Sequence, residues 1–244
     1  MFRIESSGAI ARISLDRADA RNAIGIDQWP RLTAHLHDIA ASGARALIVR
    51  SDVAGIFSSG ADLGDLDGLA AEPAERTRFR VEMARAFDTL AALPIATIAA
   101  VDGGCYGAAV ALALACDMRI AGAKAVFAVT PAKVGIVYPA GDVARLKAQV
   151  GPGQASRMLL TGMAIDAAEA ARIGLVEQVA DSADDAAAEL AALIAANSRN
   201  SVAGLKRIVA GDVEADTLFE DAFGGVDFRE GLVAFRERRK PVFR

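Results

Sequence analysis

The segment from Gly107 to Asp117, GAAVALALACD, places the strongest single constraint on the fold of this 244-residue chain. Between Gly107 and Cys116 it carries no polar side chain, so every face of the helix that it predicts must be buried. The segment is too short to span a membrane. The sequence therefore predicts a short helix inside a protein core, beginning at a glycine that permits the preceding turn.

Strands and helices alternate around this helix. FRIES and AIARISL alternate in polarity, which predicts a hairpin through the turn at 6–8. The apolar strands ARALIVRS and PIATIAAVDG follow, and each runs into a Gly-containing loop. Strands that are apolar on both faces are typical of layered α/β folds. From about residue 153 the chain becomes Ala-rich, and helices are predicted over 183–197, 201–210 and 214–239.

Composition excludes several classes of protein. The chain is 53% hydrophobic and 24% charged with a net charge of −4, which argues against a nucleic-acid partner. The N-terminus lacks a signal-peptide core, and the apolar runs fall short of the roughly 18 residues of a membrane span. Cys105 and Cys116 stand outside any metal-ligand spacing. We expect a cytoplasmic protein with no metal site and no membrane partner.

Two loops share one arrangement, in which a buried strand ends in a Gly-containing turn and a helix starts at once. They are FSSGAD and VDGGCYGAA. Helix N-termini expose backbone N–H groups that have no intrahelical acceptor, and the helix dipole adds partial positive charge there. Two such amides that converge on one point would form an oxyanion hole. Ordinary strand-to-helix turns produce the same pattern, so both interpretations stay open at this level.

Six segments resemble the enoyl-CoA hydratase/isomerase (crotonase) superfamily, in the order and spacing of that family. They are DRADARNAI, GIFSSGADL, AVDGGCYGAAVALALACDMRIA, FAVTPAKVGIVYP, TGMAIDAAEAARIGLVEQV and DFREGLVAFRERRKPVF. The resemblance implies an α/β fold, a crotonase-like spiral of ββα units with a C-terminal helical extension. Residues 1–190 would form the acyl-CoA-binding core and 191–244 the dependent extension. It also implies homotrimers, commonly paired into hexamers, and a role in fatty-acid metabolism.

The resemblance assigns a catalytic function to two backbone amides. It places the oxyanion hole on the N–H groups of Ala61 and Ala108. A thioester carbonyl of an acyl-CoA substrate would accept both hydrogen bonds and be polarised toward an enolate. Relatives often carry glycine at the second position, but alanine supplies the same N–H.

The same resemblance assigns residues that bind coenzyme A, which would enter as part of the substrate and not as a separate cofactor. The backbone positions assigned to this cradle are Ala23, Ser59 and Ala61. Arg21 is assigned to a phosphate or the ribose, with an exposed structural arginine as the alternative. Phe219 is placed against adenine and Arg238 against a CoA phosphate, often in a neighbouring subunit's site. The alternatives are core packing for Phe219 and a solvated face for Arg238.

The chain departs from the family at the two glutamates that its hydratases use to hold and activate water. One glutamate position falls on Ala111, a turn into the buried helix, and the other on Pro131. Hydration needs a positioned acid and base, and neither side chain can supply one. The aspartate of some isomerases and aryl-CoA dehalogenases falls on Pro139. The sequence argues for the family and against its best-known reaction.

TPAKVGIVY is similar to the TPA-x-x-G-x-x-Y stretch of methylmalonyl-CoA decarboxylase, which places Tyr138 on the tyrosine of that site. Decarboxylation needs few acids, because an oxyanion hole accepts the electrons of the broken bond as an enolate. The match is partial, since that decarboxylase has a glutamate at the position of Ala111. Tyr138 would orient the substrate or deliver a proton, and a buried, hydrogen-bonded core tyrosine is the alternative.

Three carboxylates near these loops are interpreted as structural. Asp62 directly follows the first oxyanion residue and is expected to cap or orient its loop. Asp117 ends the buried helix and is expected to be a satisfied structural carboxylate. Asp142 is expected to cap the helix VARLKAQV.

These observations support three functional hypotheses. In the first, the chain is a lyase or isomerase that acts on an acyl-CoA through a stabilised enolate, and decarboxylase-like or other glutamate-independent chemistry is favoured over hydration. In the second, it is a non-catalytic acyl-CoA-binding or assembly subunit that has lost its acids. In the third, it is an α/β scaffold whose ligand is not CoA.

Overall fold

The computed structural model describes residues 1–211 and 215–243, without the side chain of Ala215. The strands are β1 (Phe2–Ser7), β2 (Ile10–Leu15), β3 (Ala46–Ser51), β4 (Ile56–Ser58), β5 (Ala96–Val101), β6 (Gly104–Tyr106), β7 (Met118–Gly122), β8 (Val126–Ala128), β9 (Ile165–Asp166) and β10 (Gln178–Ala180). The helices are α1 (Gln28–Ala41), α2 (Leu63–Leu66), α3 (Pro73–Ala91), α4 (Ala108–Leu114), α5 (Ala140–Thr161), α6 (Ala167–Arg172), α7 (Ala183–Ala195), α8 (Arg199–Val209), α9 (Ala215–Gly224) and α10 (Val226–Glu237).

Consecutive strands divide between two sheets. The larger sheet has the order β1-β2-β3-β5-β7-β10 and the smaller has the order β4-β6-β8-β9. In the pairs β3–β4, β5–β6 and β7–β8, the first strand joins the larger sheet, the second joins the smaller, and a helix follows. Strands β2, β3, β5, β7 and β10 run parallel to one another. The predicted spiral of ββα units is therefore confirmed.

Two local predictions have different outcomes. The hairpin is confirmed, because β1 and β2 pair antiparallel with Ser7 opposite Ile10. The single helix expected over 214–239 is wrong, because α9 and α10 are separated by Gly225, whose backbone is extended (φ −71°, ψ 157°). Residue 214 itself lies outside the described residues. Glycine has weak helix propensity, and here two adjacent glycines, Gly224 and Gly225, mark the break.

The main core lies between the two sheets and encloses α4. All residues of α4 from Ala108 to Leu114 are buried, and Ala111 is 0% exposed. The helix packs against α5, β6 and β7. This burial confirms the prediction from its unbroken apolar sequence. None of the described helices is long and apolar enough to cross a membrane.

The other face of the larger sheet is covered by α7. A stripe of small residues, Ala183, Ala187 and Ala191, lets this helix pack closely against β3 and β5. The next helix, α8, is tied to the core by Lys206, whose Nζ lies 2.9 Å from Asp117 and 3.0 Å from a backbone carbonyl of the sheet. The domain boundary expected at residue 190 falls within α7 and stays a prediction.

Candidate active site

The turns after β4 and β6 come into direct contact. Gly60 has φ +96°, and a Cβ at this position would lie 2.6 Å from the carbonyl oxygen of Tyr106 and 3.1 Å from the nitrogen of Ala108. The first distance is shorter than any ordinary contact and the second is close to the limit. The loop therefore needs glycine at this position. Parallel pairing of β4 and β6 brings the carboxyl ends of both strands to this edge. The peptide after Gly60 and the start of α4 are therefore neighbours.

Residues 60–62 pair with Ile24 through backbone hydrogen bonds, and the N–H of Ala61 points away from Ile24. Ile24 N donates to Gly60 O at 2.8 Å, and Asp62 N donates to Ile24 O at 3.0 Å. The residue between two such bonds points its own N–H to the opposite side. No described group accepts a hydrogen bond from Ala61 N. At Ala108, the first residue of α4, the N–H lacks an intrahelical acceptor for the usual reason of helix geometry.

The N-terminus of α4 is held in place from two sides. Gly107 precedes the helix with φ 52° and ψ −121°, and its N–H donates to Ala128 O at 2.9 Å. The hydroxyl of Tyr138 donates to Gly107 O at 3.0 Å. These bonds fix the peptide that carries the Ala108 amide. An oxyanion hole depends on such preorganised donors.

Arg17 ties the first CoA-assigned loop to the first oxyanion loop. Its guanidinium donates to Ala23 O at 3.0 Å and to Asp62 Oδ2 at 2.7 Å. Asp62 also caps α2 by accepting from Gly64 N at 3.0 Å, which confirms its predicted role. The bond from Arg17 holds the pKa of Asp62 below its usual value. Sequence reasoning missed Arg17, although it lies within the quoted motif DRADARNAI.

The CoA-assigned residues of the N-terminal half lie on one wall. Ser59 N donates to Arg21 O at 3.0 Å, and the hydroxyl of Ser59 contacts Ala20 O at 3.4 Å. Arg21 and Asn22 have left-handed backbones (φ 51° and 58°). The buried side chain of Asn22 stabilises this turn by donating to a backbone carbonyl of β4 at 3.0 Å. The structure thus brings Arg21, Ala23, Ser59 and Ala61 together.

The two CoA-assigned residues of the C-terminal helices lie elsewhere. Phe219 is 64% exposed, and its ring packs edge-to-face on Phe223 at 5.1 Å. It is therefore not a core residue. Its helix, α9, packs against α8 and α10. Arg238 is exposed and ends α10 with a left-handed backbone (φ 56°). The described contacts do not bring either residue to Ala61 or Ala108 of the same chain.

The positions of the two hydratase glutamates hold no acid. Ala111 is fully buried in α4, and Pro131 begins a 3-10 turn over Pro131–Val134. The polar group nearest to α4 in the described contacts is the Tyr138 hydroxyl, whose residue is only 7% exposed. Burial raises the pKa of Tyr138 well above its ordinary value, and the nearby Asp142 adds to the shift. Tyr138 is therefore a neutral hydroxyl at physiological pH, as in the alternative that treated it as a buried, hydrogen-bonded residue.

Asp142 has a different position from the one expected. It was predicted to cap its helix, but Pro139 is the residue that precedes α5, and Asp142 lies inside the first turn. A cap must lie at the helix boundary to reach the free N–H groups, so this prediction is wrong. The Asp142 side chain is 4% exposed and lies 3.5 Å from Arg145. Burial raises its pKa to about 6.

The remaining carboxylate, Asp117, has the structural role expected of it. Asp117 accepts from the N–H and the hydroxyl of Thr97 at 2.7 and 2.9 Å. These bonds and Lys206 satisfy it as a structural group. Cys105 is buried, and burial raises the pKa of its thiol. A buried thiol of this kind is not an activated nucleophile.

A cavity of about 600 Å³ is lined by residues 66–70, by one face of α3 and by residues 136–139. Tyr138, which holds the peptide before Ala108, forms part of its wall, and so does Leu66 of α2, the helix that follows Ala61 and Asp62. The walls are mostly apolar and include Leu69, Phe79, Met83, Ile136, Val137 and Pro139. Through Tyr138 the cavity connects to the peptide before Ala108, and its mostly apolar walls suit the acyl part of a thioester.

Comparisons with known proteins identify the family of the chain. The family model for enoyl-CoA hydratase/isomerase matches residues 5–244. A protein of Rhodobacter capsulatus, named probable enoyl-CoA hydratase, is 35% identical over 99% of this chain and 97% of its own length. A mitochondrial protein of Arabidopsis thaliana, named probable enoyl-CoA hydratase 2, is 33% identical over 98% of this chain and 82% of its own length.

A solved structure leads to the same conclusion. An enoyl-CoA hydratase/isomerase family protein from Hyphomonas neptunium superposes with a TM-score of 0.96 at 35% identity, covering 100% of this chain and 97% of its own. The fold and the paired loops define a crotonase-fold protein. The chain belongs to the enoyl-CoA hydratase/isomerase family, as its sequence motifs indicated.

The contact at Gly60 is open to a direct test. Gly60→Ala should lower the free energy of unfolding by about 1–3 kcal/mol, because it adds a clash to an unfavourable left-handed backbone. Gly68→Ala is the matched control, since a Cβ there meets open space and the backbone needs no positive φ. Urea unfolding measures both. Equal stability of the two variants would contradict the close approach of the loops.

Asp142 should make stability depend on pH. Its folded pKa of about 6 lies above the ordinary value of 3.8, so the folded state binds the proton more tightly. The stability that this proton contributes is present at low pH and is lost as pH rises through about 6. Asp142→Asn should therefore be more stable than the parent by roughly 2–3 kcal/mol near pH 7.5, with the difference disappearing near pH 4.

Asp88→Asn is the control, because Asp88 pairs with the same Arg145 but its side chain is 70% exposed. Its effect should stay below about 1 kcal/mol at every pH. Denaturant unfolding across the pH range measures these differences. A constant difference between Asp142→Asn and the parent would show that the Asp142 carboxyl titrates normally.

Proposed function

We propose that this protein binds an acyl-CoA with its thioester oxygen between the N–H groups of Ala61 and Ala108. The observation that carries the proposal is the close approach of Gly60 to Ala108. A Cβ at Gly60 would lie only 3.1 Å from the nitrogen of Ala108. Further support is that the amides of Ala61 and Ala108 have no described acceptors and lie in neighbouring turns, and that Tyr138 links the second turn to the cavity. Each such donor typically stabilises an oxyanionic transition state by about 3–4 kcal/mol. The CoA would lie along the wall formed by Arg21, Ala23 and Ser59.

We further propose that the reaction is a decarboxylation or another reaction that needs no glutamate. In a malonyl-type thioester, the bond between Cα and the carboxylate breaks, CO₂ leaves, and the electron pair forms an enolate held by the two amides. A proton from solvent then completes the Cα–H bond. The support is the absence of an acid at Ala111 and Pro131, because water addition requires positioned proton carriers. The part of the cavity wall next to Tyr138 is apolar, with Ile136, Val137 and Pro139, and such surroundings solvate a departing carboxylate poorly.

Tyr138 is proposed to orient the substrate from the cavity wall. Its hydroxyl donates to Gly107 O at 3.0 Å, so it links the cavity to the peptide of the second oxyanion amide. Its raised pKa argues against a role as a base. As a neutral hydroxyl it can orient the substrate so that the scissile bond lies out of the thioester plane, or it can transfer a proton.

A non-catalytic acyl-CoA-binding or assembly subunit is the second candidate. The same absence of acids at Ala111 and Pro131 favours it. It differs from the first candidate in predicting tight CoA binding without turnover. For location we propose the cytoplasm, since the two free, buried cysteines are typical of a reducing compartment.

We also propose a homotrimer or a dimer of trimers, with the C-terminal helices at the interface. Phe223, Val226 and Phe235 are 53%, 61% and 83% exposed on α9 and α10. Exposed apolar surface of this kind marks interaction sites in stable proteins. Such an assembly would let Phe219 and Arg238 serve a neighbouring subunit's CoA.

The reaction is tested by mixing the protein separately with methylmalonyl-CoA and crotonyl-CoA and following products by mass spectrometry. We expect CO₂ release from the first and no hydration of the second. Tyr138→Phe should lower kcat by about tenfold or more while KM changes little, because it removes one oriented hydroxyl. Rapid hydration of crotonyl-CoA would overturn the proposal, and tight binding of both thioesters without turnover would favour the binding subunit.

The assembly is tested by sedimentation velocity. We expect a mass of three or six chains of 25.3 kDa, and we expect Phe235→Lys to shift the distribution toward smaller species. Leu193→Lys is the control, because Leu193 is 69% exposed but lies on α7, outside the proposed interface. A monomeric parent at micromolar concentration would contradict the proposed assembly.

A further inference from the structure

The cavity beside Tyr138 has a charge pattern that the proposed chemistry does not use. Its lining includes two arginines of α3, Arg76 and Arg80, and no aspartate or glutamate among the described side chains. Most of the remaining lining is apolar. Both arginines are exposed, so they place positive charge on the solvent-facing side of the cavity, where it attracts an anion.

The two arginines differ in how they are held. The guanidinium of Arg76 donates to the backbone carbonyls of Leu69 and Ala70, which close one end of the cavity. These neutral carbonyls fix the group and leave its charge uncompensated. Arg80 lies one turn further along α3, and in the described part of the chain it makes no hydrogen bond or ion pair.

The other arginines in this part of α3 show that the pattern is specific to the cavity. Arg78 pairs with Glu75 and Asp27, and Arg85 pairs with Glu82. They are exposed, as Arg80 is, but both have carboxylate partners from this chain. Among the described residues the Arg80 guanidinium has no such partner, and Arg80 borders the cavity with Phe79 and Met83. A guanidinium binds a carboxylate through two parallel hydrogen bonds, and this geometry selects carboxylates over uncharged groups.

We propose that the cavity binds acyl groups that end in a carboxylate, with Arg80 as the residue that pairs with it and Arg76 adding to the positive potential. The inference rests on the proposed function, because it assumes that the thioester lies at Ala61 and Ala108. The substrate class is then an acyl-CoA whose acyl chain ends in a carboxylate, in addition to any carboxylate on Cα that leaves as CO₂.

The carboxylate at Arg80 is a distal one and not a carboxylate that leaves as CO₂. A cation that binds a carboxylate stabilises its charge, and this would oppose its conversion to neutral CO₂. Arg80 therefore determines specificity along the acyl chain, while the bond-breaking step takes place next to the oxyanion amides.

The experiment compares binding of matched thioesters by isothermal titration calorimetry. Glutaryl-CoA and pentanoyl-CoA have acyl chains of equal length and differ in a terminal carboxylate against a methyl group. We expect glutaryl-CoA to bind about tenfold tighter or more. Succinyl-CoA against butyryl-CoA and adipyl-CoA against hexanoyl-CoA extend the comparison to other chain lengths.

Variants identify the residue that is responsible. Arg80→Gln should bind glutaryl-CoA no more tightly than pentanoyl-CoA, whereas its pentanoyl-CoA affinity should match that of the parent. Arg85→Gln is the control on the same helix and should keep the full preference. Since Arg80 is exposed, we expect Arg80→Gln to fold normally, and its pentanoyl-CoA affinity reports this directly.

Equal affinity of the parent for both members of every matched pair would overturn the proposal, as would a preference that survives in Arg80→Gln. These outcomes are separate from the fate of the proposed reaction. If no thioester releases CO₂ but the carboxylate preference is present and depends on Arg80, the proposed chemistry fails and the inference stands. If no CoA thioester binds, the proposed function fails first.

Discussion

The structure depends on the close contact between two strand-to-helix turns at Gly60 and Ala108. The loops are so close that a single Cβ added at Gly60 would clash with the backbone around Ala108. Three further interactions keep them there: the ladder with Ile24, the bond from Tyr138 to Gly107 and the ion pair from Arg17 to Asp62. All of them fix backbone position, and the groups proposed to bind the ligand are backbone amides.

This arrangement explains how a site with few acids can still have a chemical function. Preorganised amides stabilise a developing negative charge without exchanging a proton. Of the polar side chains nearby, Tyr138 has a raised pKa and stays a neutral hydroxyl, and the buried Asp142 lies in the first turn of α5 beside Arg145. Reactions in which the bond that breaks leaves its electrons on the thioester are consistent with such a site.

Much of the fold could be predicted because it follows from local patterns. The apolar run of α4 indicates a buried helix, and strands that lead into Gly-rich loops indicate the ββα order. The assignment of the amides of Ala61 and Ala108 comes from the same loops together with the family motifs, and it stays a prediction. Asp62 was interpreted correctly because a carboxylate directly before a helix has a strong local preference for capping.

Other features depend on tertiary packing and left no local signal. Arg80 and Arg78 lie on one helix with similar neighbours in sequence, and only the position of α3 against residues 136–139 shows which of them borders the cavity. Aspartate is a residue type that often caps helices, but α5 begins earlier than Asp142, directly after Pro139. Arg17 reaches Asp62 across 45 residues of sequence, a contact that spacing alone does not predict.

The central claim is that the amides of Ala61 and Ala108 polarise a thioester carbonyl. The most direct measurement is the infrared difference spectrum of an acyl-CoA with a ¹³C-labelled thioester carbonyl bound to the protein. Two donated hydrogen bonds weaken the C=O bond, so the account predicts that its stretching band moves to lower wavenumber on binding. A bound thioester whose carbonyl band stays at the position seen in water would contradict the account.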